Sequence, residues 1–165
     1  MAAPVVGNVI CVRGTLSFGG TIMGLLRDMV FEPRAAKRMI HAEEWAVNTD
    51  GVYIGEKPIF KGVLRYPDAD AIANIIPAGA FSFSYNQTFR PGSLLSTKAG
   101  VMLFTPTYSG HPAVKFYNAI PMIDEAAQLQ HSMGEEWGLA VVFEGTPDGS
   151  GRVYADGPVG SLPCT

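Results

Sequence analysis

The chain has 165 residues, 47% hydrophobic and 16% charged. That is enough for one globular domain with its own core and too little for two. Twelve basic against fifteen acidic side chains give a formal charge of −3, which excludes the strongly basic surface expected of a nucleic-acid binder.

No apolar run approaches the ~18 residues that cross a bilayer, and residues 1–8 lack the basic and apolar regions of a signal peptide. Cys11 and Cys164 are too few for a zinc centre or a redox pair and read as free thiols. In chain order, strands are expected near residues 8–16, 28–32 and 36–46. Residues 57–66 alternate, with Lys57, Lys61 and Arg65 opposite Phe60, Leu64 and Tyr66. A short helix is expected over about 68–76, because Asp68 is a good N-cap, Pro77 stops the element, and Ile72, Ile75 and Ile76 share a face. Residues 81–89 alternate again, and residues 100–105 and 139–143 are apolar runs suited to strands covered on both sides. Further strands are expected at 113–120 and 152–155. Residues 122–132 should form a hairpin with 139–143, with Asp124, Gln128 and Gln130 on its polar face and Trp137 as an anchor at its base. Asp50-Gly51, Ser109–Pro112 and Pro147–Gly151 carry turn chemistry. The pattern describes a mostly-β domain with one small helix, packed as a sandwich or barrel-like pair of sheets.

Two stretches do not fit a compact domain. Residues 46–58 combine a turn signal with exposed-looking Val52, Tyr53 and Ile54. Residues 86–99 have no clean period yet carry Phe89, Leu94 and Leu95. Apolar residues on long loops point to contact with another copy, or to loops folding back on their own core. Charge is also uneven. Residues 1–65 hold eight basic and six acidic side chains, and residues 100–165 hold two and seven. Copies meeting head to tail would place these opposite signs against each other, whereas a lone domain needs only a solvated surface.

No metalloprotease, phosphate-loop, nucleophile-elbow or dinucleotide motif is present. Ser109, His111 and Asp124 make a poor triad because Ser109 and His111 sit in a turn, and His41, His111 and His131 lie in separate segments. Glu43-Glu44, Asp124-Glu125 and Glu135-Glu136 are neighbours in sequence, which on a strand sends the two carboxylates to opposite faces. The expectation is therefore no catalytic residue, no metal and no cofactor.

Several runs together carry a resemblance. They are residues 59–62 (IFKG), 66–72 (YPDADAI), 96–106 (STKAGVMLFTP), 111–121 (HPAVKFYNAIP), 136–144 (EWGLAVVFE) and 147–148 (PD). This succession resembles the tail tube, or major tail, proteins of long-tailed bacteriophages over about residues 28–157. Capsid-decorating proteins and other structural virion β-domains share the texture. The resemblance implies a single domain over 1–165, built as a two-sheet β-sandwich or half-barrel with a flanking helix and a long hairpin loop. It also implies an arm at 1–8 and a tail at 158–165.

The implied function is mechanical. Six copies form a ring, rings stack into a tube, and the genome passes through without specific binding. Partners would be further copies and other tail proteins (tape measure, tail terminator, distal tail), without a membrane. The place would be the virion tail, and the host cytoplasm during assembly. By position, 46–58 becomes the candidate ring-to-ring loop, so Val52, Tyr53, Ile54, Phe89, Leu94, Leu95 and Trp137 are contact candidates. A conduit wall of carboxylates and amides lets DNA slide, whereas lysine and arginine would hold it. Asp124, Gln128, Gln130 and Glu144 are therefore the lumen candidates. A sugar-binding β-sandwich using Tyr53, Tyr85 or Trp137 is the contrasting reading.

Overall fold

The computed structural model describes residues 13–42, 47–65, 67, 75, 94–108, 110–122, 129–130, 138–158 and 162, with side chains left out at 41–42, 47–49 and 129–130. Within these residues the protein is mainly β. The strands are β1 (Gly14–Phe18), β2 (Thr21–Glu32), β3 (Ala35–Ala42), β4 (Val47–Glu56), β5 (Ile59–Arg65), β6 (Gly100–Pro106), β7 (Ala113–Pro121), β8 (Leu129–Gln130), β9 (Gly138–Gly145) and β10 (Tyr154–Gly157). A single 3₁₀ turn covers Leu95–Lys98.

Eight strands form one antiparallel sheet in the order β10-β7-β6-β1-β2-β5-β9-β8, and β7 also pairs with β9. That extra pairing closes six strands, β7-β6-β1-β2-β5-β9, into a barrel. β7 achieves closure by dividing its free edge. Ala113 to Phe116 pair with β10, while Ala119, Ile120 and Pro121 pair with Gly145, Glu144 and Phe143 of β9. The sequence predicts a sandwich or a barrel-like pair of sheets, and the resemblance a two-sheet β-sandwich or half-barrel; among the described residues six strands of one sheet close into a barrel, which removes their open edges.

Strict alternation explains the core. In β5 the even residues Phe60, Gly62 and Leu64 are buried and the odd ones half-exposed. β1, β6 and β9 follow the same period, bringing Leu16, Phe18, Met102, Phe104, Leu139, Val141 and Phe143 inside with Phe116 of β7. Phenylalanines dominate: ring centroids are 5.2 Å apart for Phe18 and Phe143 and 5.7 Å for Phe60 and Phe104. Each such side chain contributes ~1.5–3 kcal/mol by leaving water. Small residues admit the large ones. A Cβ added at Gly62 would lie 2.8 Å from Leu26, and one at Gly145 would lie 2.8 Å from Pro58 and 3.2 Å from the Phe116 ring.

Local chemistry makes the turns. Gly19 and Gly20, at φ +58° and +84°, close the β1–β2 hairpin in the twist that two-residue turns favour. Asp148 organises the expected 147–151 turn: its carboxylate accepts the N–H groups of Ser150 and Arg152 at 2.9 and 2.8 Å. The expected 81–89 strand lies outside the described residues. Of the expected 68–76 helix only Ile75 is described; it is helical and buried in the core.

Residues 46–58 are not the loop expected from their composition. Val47–Glu56 is a strand, paired with Ala35–Ala42 from Ala42↔Val47 to Ala35↔Glu56. Asp50-Gly51 does not reverse the chain. It sits beside an irregularity where Ile40 faces Asp50 but His41 faces Asn48, and Asp50 Oδ1 accepts the Gly51 N–H at 2.7 Å. The same residue types that suit a turn here absorb a bulge.

Candidate interaction surface: the hairpin arm and its root

β3 and β4 form a separate two-stranded sheet inserted between β2 and β5. The barrel ladder ends at Glu32↔Ile59, and the hairpin carries the same two chain directions onward. It is an arm with both faces in solvent: Ala35 to Ile40 and Asp50 to Ile54 are all exposed. Exposure is high at apolar positions, 44% at Met39, 47% at Ile40, 50% at Val52, 60% at Tyr53 and 63% at Ile54. An isolated two-stranded hairpin is marginal in water, so apolar residues on both faces call for cover from outside the barrel.

Two different surfaces meet where the arm joins the barrel. On the outward side, a cleft of about 320 Å³ is lined by Arg34, Lys57, Ile59, Lys61, Met122, Val142 and Glu144. Glu32 joins Lys61 at 3.0 Å and also pairs with Arg34, while Lys57 reaches Glu144 at 3.3 Å. Hydrogen bonds from Lys61 and Arg34 hold the Glu32 carboxyl below its ordinary value. On the other side, continuous with the barrel interior, Tyr154 of β10 packs on Phe31 at 5.1 Å and on Phe116 at 6.4 Å. Burial first, then the negative charges of Glu56 and Asp156, push the Tyr154 phenol up. Tyr53 is pushed up by desolvation and by its hydrogen bond to Glu56, to which the neutral phenol donates.

Of the expected contact residues, Val52, Tyr53 and Ile54 stand on the arm, and Leu94 and Leu95 are exposed at the 3₁₀ turn, 71% and 48%. Phe89 and Trp137 lie outside the described residues, as do Asp124 and Gln128. Gln130 is placed in β8, opposite Gly138 of β9, with only its backbone described. Glu144 lines the cationic cleft, where its carboxylate pairs with Lys57. Composition gives no sign of this cleft, because Arg34, Ile59 and Lys61 meet Met122, Val142 and Glu144 there only through strand pairing. Of the imagined triad only His111 is described, with its ring 6.5 Å from that of Tyr108.

Among the described residues no cluster of three or more His, Cys, Asp or Glu is arranged to hold a metal, and no helix is long and apolar enough to cross a membrane. No protein-family model and no curated protein matches the sequence.

Proposed function

We propose that the protein is a structural virion subunit that assembles with its own copies into stacked rings, the tail tube through which a phage genome leaves. The observation that carries this reading is the arm, which exposes Met39, Ile40, Val52, Tyr53 and Ile54 on a hairpin none of whose described side chains belongs to the core cluster. Such an element stabilises an assembly, not a monomer. The run of motifs from residue 59 to 148 that resembles tail tube proteins favours the same reading.

In the tube, the arm reaches from one ring to the next and its apolar face is buried there. β8 and β10 each have one strand partner among the described residues, β9 and β7. Their other edges suit pairing between neighbouring subunits. The polar face of 122–132 with Asp124, Gln128 and Gln130 lines the bore, repelling phosphates so that DNA slides. Glu144, already neutralised by Lys57, contributes less to that wall than its charge alone implies. Tape measure, terminator and distal tail proteins cap and fill the tube.

Electron microscopy of the purified chain tests the reading. Rings or tubes with a central bore are the expected result, and a chain that stays monomeric at high concentration overturns it. A capsid-decorating subunit, the second reading, would instead bind preformed capsids without forming tubes.

A further inference from the structure

The root of the arm carries opposite charge on its two faces. Outward lie Arg34, Lys57 and Lys61, paired among the described residues with Glu32 and Glu144, around an apolar floor of Ile59, Met122 and Val142. On the side where Tyr154 packs on Phe31 lie the exposed Glu56 and, two residues along β10 from Tyr154, the exposed Asp156. Among the described residues neither Glu56 nor Asp156 has an ion-pair partner. Alternation produces the split. Phe31 and Phe60 point into the barrel, so their neighbours Glu32, Ile59 and Lys61 point out, while Tyr154 follows Phe31.

We infer that these two faces dock on each other between neighbouring copies, the cationic cleft of one subunit receiving the Glu56–Asp156 face of the next. This deepens the ring reading and rests on it. Each subunit presents both halves of the contact on opposite sides of one short segment. The contact is therefore head to tail, the kind that closes into a ring rather than stopping at a dimer. Arg34 and Lys57 are more than half exposed at the cleft rim, where charge steers and sets register. The apolar floor of Ile59, Met122 and Val142 leaves water when the neighbouring copy covers it. The lopsided charge of the sequence thereby acquires a local address.

A charge exchange tests it. Variant one carries Arg34→Glu and Lys57→Glu, so that both faces are acidic; variant two carries Glu56→Lys and Asp156→Lys, so that both are basic. Each alone is expected to need at least about tenfold more protein to assemble than the unaltered chain, because like charges meet. An equimolar mixture should recover assembly, with the two variants alternating. Thermal unfolding of each variant reports on folding, and recovery in the mixture itself requires folded partners. Assembly of either variant at the unaltered threshold overturns the inference. So does a mixture that fails to recover, which would mean that the cleft takes some other anion. If the unaltered chain itself never assembles, the ring reading falls first and this contact with it.

Discussion

Gly62 shows how a single residue is held by its surroundings. It lies inside the barrel opposite Leu26, whose side chain is itself fully buried, so a methyl group added at position 62 has nowhere to go. Gly62→Ala should destabilise the protein by ~1–3 kcal/mol. Gly149→Ala, in an open turn with nothing within 4 Å, should change urea stability little. Equal midpoints for the two variants would contradict the packing described. Glu32 gives a second residue-scale prediction. Its carboxyl is lowered by Lys61 and Arg34, so the stability it contributes is complete above the ordinary value of 4.5 and is lost as pH falls through the lower folded value. The melting temperature of Glu32→Gln should therefore lie below that of the unaltered chain at neutral pH, and the gap should close at strongly acidic pH. An identical gap at both would remove the ion-pair explanation.

At the scale of elements, the arm is expected to add little to the stability of the barrel. The ladder that belongs to the barrel ends at Glu32↔Ile59, and no described side chain of β3 or β4 belongs to the core cluster. Joining Ala35 to Glu56 through an Asn-Gly turn would remove residues 36–55 and keep the last arm pair. The melting temperature should move by only a few degrees, and electron microscopy should show rings that do not stack. Long tubes from this variant would exclude the arm as the connector. The elements also differ in how legible they are. β5, β6, β7 and β9 follow from alternation or from apolar runs, because their environment is the barrel itself. The sequence predicts only the last five residues of β2 and gives β4 the look of a loop. Residues on the arm have two solvated faces, so burial imposes no period on them, and Asp50-Gly51 mimics a turn. The signal that does mark the first hairpin is Gly19-Gly20, which alternation alone passes over.

For the whole molecule, function rests on what the outer surfaces meet. If the polar face of 122–132 lines a bore, Asp124→Lys combined with Gln128→Lys should leave tubes intact and slow genome ejection, since added cations hold phosphates. Unchanged ejection kinetics would place the wall elsewhere. Residue order alone is enough to show a β-rich domain, a core of aromatic and aliphatic residues at alternate positions, and charge divided between the two ends of the chain. These follow from short-range periodicity, which each strand carries internally. Barrel closure through β7 and β9, the pairing of 35–42 with 47–56, and the meeting of Arg34, Lys57 and Lys61 with Glu144 were decided only in three dimensions. Strand partners and cross-strand charges are long-range choices, set by which edges are free and which side chains arrive beside them. No local period encodes that choice.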